Sequence, residues 1–190
     1  MSTPQETKDV KLIMSLFSRE EELIERVIGN MKSYFGPLNW ISEKLVFNRT
    51  RYYEKEMGWP LYRRFIAFSG LIRPETIVDI KLMTNKIESD YLINNKRRIN
   101  IDPGYISLER LVLATGKNYI HRVYLGKGIY ADLTLIFHSG TFMPLVWTYP
   151  DYSDEKIIAC FNRLRDDYFG QLRGQRGAGI QEPGSDSTEI

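Results

Sequence analysis

The chain is poor in the residues from which cross-links and reactive sites are most often built. It has one cysteine, Cys160, and two histidines, His121 and His138. A single thiol excludes an intrachain disulfide and fits a reducing compartment. Two imidazoles cannot supply a His-rich metal site, and no Cys/His cluster has zinc spacing, so no metal is expected. No run of about eighteen apolar residues occurs, and the opening MSTPQETKD lacks the apolar stretch of a signal peptide. A cytoplasmic protein without a membrane partner is the expectation. An excess of one charge is also missing. The 26 Lys and Arg face 24 Asp and Glu, a net charge of +2, which gives no bulk reason to expect nucleic acid or an anionic membrane. The basic run KRR at 96–98 is too short to change that.

Catalytic and phosphate-binding motifs are missing too. There is no G-x-x-x-x-G-K-[ST] phosphate loop and no G-x-S-x-G elbow. GKGIYA fits a dinucleotide fingerprint by letters, but it sits in a hairpin and precedes a strand, whereas that fingerprint must open a helix. TNKIE at 84–88 has Glu88 where a guanine-reading N-K-x-D motif has Asp, and it lies in a helical pattern.

What is present suits an ordinary folded protein: 190 residues, 43% of them hydrophobic and 26% charged. One domain of this size buries roughly 70% of its unfolded surface and needs no staple. Residues 1–9 are polar and read as disordered. The end, RGQRGAGIQEPGSDSTEI, is rich in Gly, Ser and charge and reads as a disordered tail over 173–190. A single domain over 10–172 lies between them.

The apolar run VKLIMSLFS (10–18) predicts a buried strand. Ser18 and Glu21 have capping-box spacing. Leu23, Ile24, Val27, Ile28 and Met31 then continue at helical spacing until Gly36-Pro37. WISEKLVFN (40–48) and LYRRFIAFSGLI (61–72) predict strands. Pro74 suits the first turn of a helix to about 92, with Ile77, Ile80, Ile87 and Tyr91 along one side. NIDPG (100–104) is turn chemistry, and LERLVLATG (108–116) leans towards strand. A hairpin over 121–135 and an amphipathic helix over about 154–170 complete the chain. In that helix Cys160 reads as a buried structural thiol beside Ile157, Phe161 and Leu164. The order predicts an α+β fold: a mostly antiparallel sheet with helices on one face, a ferredoxin-like βαββαβ core, an added hairpin and a C-terminal helix. The other sheet face would be open to a ligand.

The hairpin HRVYLGKGIYADLTL carries the sharpest local inference. A three-residue turn at Gly126-Lys127-Gly128 pairs Leu125 with Ile129, Val123 with Ala131 and His121 with Leu133 on one apolar face. It pairs Tyr124 with Tyr130 and Arg122 with Asp132 on the other. Val123 and His121 are then expected in the core. Arg122–Asp132 is expected as a solvated ion pair worth up to about 1 kcal/mol. That polar face is either a plain solvated surface or a ligand platform, with tyrosines for stacking and Arg122 for an anion.

Other constellations carry similar alternatives. Lys81, Thr84, Asn85 and Glu88 form a polar helix stripe, either solvated or with Lys81 and Asn85 looking into a pocket. RTRYYEKEMG (49–58) combines Arg49, Arg51, Tyr52, Tyr53, Glu54 and Glu56 in a connection, which suits a charged loop or a binding rim. Arg63 and Arg64 face opposite sides of one strand, so one of them points inward or towards a ligand.

The segments YYEKEMG (52–58), KLMTNKIE (81–88), NIDPGYISLERLVLATGK (100–117), HRVYLGKGIYADLTL (121–135) and WTYPDY (147–152) together resemble bacterial proteins grouped as domain of unknown function 4416. The likeness runs from about Val10 to Tyr168. It brings no established activity, though members are often labelled GTP-binding. What it implies is a set of candidate positions: Tyr53, Glu54, Lys81, Asn85, Asp102, Arg122, Tyr130, Asp132 and Asp151. Two functions follow. One is binding of an anionic or nucleotide-like small molecule on the open face, with Arg122 and Lys81 facing the anion and Tyr124 and Tyr130 stacking. The other is a non-catalytic module that docks a protein or a second copy of itself. Glu54, Asp102, Asp132 and Asp151 are the carboxylates available to an enzyme, and no cofactor is indicated.

Overall fold

The computed structural model describes residues 1–48 and 51–178, with side chains as far as Gly174. Its centre is β1 (Val10–Ser18), an apolar run buried at all nine positions. A strand buried on both faces needs neighbours on both edges. It has them in β4 (Leu61–Ile72) and β5 (Ile99–Ile106), both antiparallel to it. Among the described residues nine strands form one sheet, and every pairing in it is antiparallel. The remaining strands are β2 (Leu38–Ile41), β3 (Leu45–Phe47), β6 (Arg110–Thr115), β7 (Arg122–Gly126), β8 (Ile129–His138) and β9 (Thr141–Pro144). The order is β2-β4-β1-β5-β6-β8-β7, with β3 beside β4 and β9 beside β8. The helices are α1 (Glu21–Phe35), the four-residue α2 (Glu54–Met57), α3 (Ile77–Asp90) and α4 (Glu155–Ala178).

Side chains alternate across the sheet and divide the core in two. Leu12, Met14 and Leu16 of β1 meet Leu23, Ile24 and Val27 of α1 and Ile77 and Ile80 of α3. Ile13, together with Phe65, Ile106, Leu111 and Leu135, meets Ile157, Phe161 and Leu164 of α4. The α+β class and the mostly antiparallel sheet are as expected, but the helices do not share one face. The apolar stripe of α4 had to be buried somewhere, and the face away from α1 offers Phe65, Ile106 and Leu111. Only part of that second face remains for polar residues.

Several local expectations are corrected. The stretch 40–48 is two strands, because Ser42 turns aside. Its N–H donates to Phe65 O (2.8 Å) and its hydroxyl accepts from Phe65 N (2.9 Å). No capping box forms. Ser18 Oγ donates to Arg98 O (2.5 Å) and accepts from Glu20 N (3.0 Å), while Glu21 pairs with Lys44 and Arg64. Pro74–Thr76 is a single 3-10 turn ahead of α3. β9 follows the hairpin without having been expected. Cys160 is half-buried, with Arg163 Nη2 3.2 Å from its sulfur. α4 runs on to Ala178, past the start of the expected tail, and the rest of that tail lies outside the described residues.

The largest correction concerns NIDPG, which is central β5 and not a turn. Pro and Gly are tolerated here for separate reasons. The backbone groups of Ile101 point away from β1, as shown below, and by the two-residue period so does the position of the missing N–H at Pro103. β1 therefore loses no hydrogen bond. Gly104 lies where β6 presses closest. A Cβ there would fall 2.4 Å from Val112 O and 2.7 Å from a methyl of Leu113, so only glycine fits.

Candidate functional site

The β7–β8 hairpin keeps the pairs that side-chain parity requires: Arg122 with Asp132, Val123 with Ala131 and Tyr124 with Tyr130. The turn is shorter than expected. Gly126 pairs with Ile129, and the two linking residues, Lys127 (φ 50°) and Gly128 (φ 78°), both lie in the left-handed region. That is a two-residue turn of the twist hairpins favour. Leu125 is the extra residue of a bulge, and the bulge restores the expected offset.

The two faces are reversed relative to expectation. Val123 is 67% exposed, whereas the side chains of Arg122 and Asp132 are 8% and 5% exposed. The apolar layer under α1 and α3 reaches Ala114 and Ile129 but does not include Val123. The polar side is instead covered by the segment after β9. Arg122 donates from Nε to Asp132 (2.8 Å), from Nη1 to Lys117 O (2.9 Å) and from Nη2 to Tyr149 OH (3.1 Å). His121 leaves the apolar face as well. Its Nε2 lies 3.3 Å from Asp132 and its ring stacks on Trp147 at 4.9 Å. Arg122 and Asp132 thus form a buried clamp between strand, loop and covering segment, not a solvated pair. Tyr124 and Tyr130 meet edge to face at 5.2 Å, with Tyr124 exposed and Tyr130 half-buried.

The polar stripe of α3 is also buried, at Lys81, Thr84 and Glu88. The cause is a split in the sheet. β6 pairs with β5 only from Gly104 to Ile106, and beyond that the edge of β5 lies open. Side chains of α3 complete the ladder in place of β6. Ile101 N donates to Glu88 Oε1 (2.6 Å), and Lys81 Nζ donates to Ile101 O (2.8 Å). Burial pushes the Glu88 carboxyl up to about 7, with Lys81 acting against the rise. Asn85, one position round the helix, is half-buried, and its backbone carbonyl accepts from Ser89 Oγ.

Asp102 stands at this split, on the face shared with Ser15 of β1. Its Oδ2 accepts from Asn100 Nδ2 (2.8 Å), its Oδ1 lies 3.6 Å from Lys81 Nζ, and its side chain is 34% exposed. Two connections flank it. From 51–58, Tyr53 is half-buried, and its hydroxyl is pushed up to about 12 by burial first and by Asp102 second. From 145–152, Tyr149 rests on Arg122. Arg97 holds Glu56 through two bonds of 2.7 Å and Asn100 through one of 2.8 Å. Lys117 Nζ lies 3.3 Å from Tyr52 OH and 4.9 Å above that ring. Among the described residues Lys117 has no carboxylate within ion-pair distance, unlike Lys81, Arg97 and Arg122.

Of the positions named from sequence, the fold brings Tyr53, Lys81, Asp102, Arg122 and Asp132 to this end of the sheet. Glu54 pairs with Arg51 on the outer side of α2 (2.8 Å). Arg49 lies outside the described residues. Asp151 pairs with Arg63 (3.0 Å) and lines a different recess. Sequence reasoning passed over Arg97, Asn100 and Lys117, whereas WTYPDY (147–152), with Tyr149, is readable in advance as a turn that either closes the hairpin's polar face or anchors the chain. The KRR run and the Asn of NIDPG were the available signals for the first two. The arrangement can present an acceptor at Asp102, aromatic walls and a cation at Lys117. Among the described residues no group of three or more His, Cys, Asp or Glu is arranged to hold a metal ion, and no helix is long and apolar enough to cross a membrane.

Comparison with curated proteins and with solved structures returns no match. A family model does match, over residues 8–168, most of the chain and all nine strands among the described residues. The chain therefore belongs to the family described as domain of unknown function (DUF4416).

Proposed function

We propose that this protein binds a small nucleotide-like molecule at the β5–β6 split. The observation that carries the reading is Asp102, a partly exposed carboxylate where the sheet has parted, close enough to Tyr53 to raise its hydroxyl pKa, as Tyr149 also does. A carboxylate only accepts hydrogen bonds, so it suits a ligand edge made of donors. The guanine edge offers adjacent N–H donors, while the adenine edge alternates donor and acceptor. Tyrosines flanking the carboxylate suit a planar ring, and Lys117 suits an anionic group. Arg122 is not assigned to the anion, since Asp132, Lys117 O and Tyr149 already occupy it.

Thermal shift and titration calorimetry with GTP, guanosine, ATP and inorganic phosphate test this. GTP should bind more tightly than ATP, Asp102→Asn should abolish the difference, Lys117→Ala should weaken GTP more than guanosine, and Glu54→Ala should change nothing. No shift with any of the four at millimolar concentration would reject the reading.

A second reading, docking of a protein partner or a second copy, draws support from the exposed Tyr119, Ile120, Val123 and Leu125 beside the edge strand β7. Light scattering that finds a monomer at high concentration would count against self-association.

A further inference from the structure

Two tight turns meet beside the Arg122 clamp. Arg122 N–H donates to Tyr119 O (3.0 Å) and closes the first, and Thr148 N–H donates to Leu145 O (2.9 Å) and closes the second. Their third residues, His121 and Trp147, stack with ring planes 10° apart, so the turns touch. Their second residues are Ile120, 95% exposed, and Val146, 99% exposed. Turn corners favour Gly, Pro, Asn, Asp and Ser. A branched apolar side chain held in water there gains nothing from the fold. Two of them on touching turns point to a layer that covers both.

The surroundings describe that layer. Tyr119, Trp147 and Tyr149 stand about the two turns with their rings partly in water. Two of these rings are held in place. Tyr149 OH accepts from Arg122, and Trp147 Nε1 donates to Leu133 O (2.8 Å). Tyr and Trp favour the boundary between apolar and wet surroundings. Charge is one-sided here. From Arg110 to Pro150 the chain has four basic residues, Arg110, Lys117, Arg122 and Lys127, and one acidic residue, Asp132. Asp132 is buried on Arg122, and Lys127 pairs with Asp79 of α3. The near-balance of the whole chain therefore does not hold locally, and the segments that form the turns expose no carboxylate of their own. A flat protein face would need a pit for each projecting side chain. A fluid bilayer needs none, and anionic headgroups complement a surface short of acids.

We propose that these two turns dock the protein on the surface of an anionic lipid bilayer. Ile120 and Val146 enter the boundary between headgroups and acyl chains, with Tyr119, Trp147 and Tyr149 at headgroup level. The contact is peripheral and reversible, and no segment spans. It competes with protein docking for Tyr119 and Ile120, and it does not depend on Asp102 or on the nucleotide reading.

Flotation of the full chain with vesicles tests it, using phosphatidylcholine alone and phosphatidylcholine with about one-third phosphatidylglycerol. The protein should float with the mixed vesicles and less with the neutral ones. Ile120→Asp and Val146→Asp should each lower the partition coefficient about ten-fold or more. The melting temperature should not change, because both side chains already stand in water. Brominated lipid should quench the tryptophan fluorescence. Trp147→Phe should remove most of that quenching, since Trp40 and Trp59 pack against buried clusters. Asp102→Asn should leave flotation unchanged. The proposal is overturned if the protein does not float with the mixed vesicles or if neither aspartate variant weakens flotation. It is also overturned if light scattering shows that those variants split a dimer, which would give the turns to a second copy.

Discussion

β1 and β7 belong to the same sheet and both carry branched apolar residues, yet they meet opposite environments. β1 has strands on both edges and helices on both faces, and all nine of its residues are buried. β7 is the last strand of the order, and Val123 and Leu125 at its middle face outward while Arg122 is enclosed. The difference teaches that burial follows cover, not side-chain type. An apolar residue is a core residue only where a second layer reaches it, and an ion pair is a surface pair only where none does.

The comparison breaks most visibly under a charge placed in β1. Leu16→Asp puts a carboxylate where no water reaches and should cost more than about 4 kcal/mol, enough to leave little folded protein in urea or thermal melts. Arg122→Leu comes next. It leaves Asp132 buried with His121 and the Thr134 hydroxyl but without its guanidinium, and should cost about 3 kcal/mol. A loss below about 1 kcal/mol in urea titration would restore the solvated pair expected from sequence.

A smaller effect concerns pH and sharpens the contrast at the sheet split. The Glu88 carboxyl ionises near 4.5 when unfolded and near 7 when folded. Between these values the unfolded chain has released the proton that the folded chain still holds, so this group's contribution to stability falls as pH rises through that window. Glu88→Gln keeps an acceptor for Ile101 N–H and cannot ionise. It should flatten the decline and gain on the order of 2 kcal/mol relative to the parent at pH 8 compared with pH 5, read from urea midpoints across pH. The smallest effect is Val123→Asp, which should stay within about 0.5 kcal/mol. If it unfolds the protein as Leu16→Asp does, the outer side of β7 is covered after all.

Much of the fold was legible. The bounds of β1 and β4 follow from apolar runs, α1 from helical spacing and a Gly-Pro stop, and the Arg122–Asp132 pairing from side-chain parity. Other features were legible only as composition and misled. NIDPG has the residues of a turn, but an open edge on one side and a tight contact at Gly104 make them fit a strand. Lys81 and Glu88 have the spacing of a solvated stripe. They are buried because a strand distant in sequence leaves backbone groups for them to satisfy. Of the candidate site, Tyr53, Asp102 and Arg122 could be named in advance. Tyr149 was legible only as part of the WTYPDY turn, with closing the platform and anchoring the chain left open, and Lys117 was not legible, since nothing local marks it.

What the sequence by itself determined was local and periodic. Spacing of 3.6 marks the inward stripe of α1, spacing of 2 places Arg122 opposite Val123, and glycine marks the positive-φ turn at Gly128. What only the tertiary structure decided was which of two opposed faces looks inward, and where β5 and β6 part. A two-residue period states that the faces differ but carries no sign. The sign comes from long-range cover: the apolar layer under α3 takes in Ile129 but not Val123, and the segment through Tyr149 folds over Arg122.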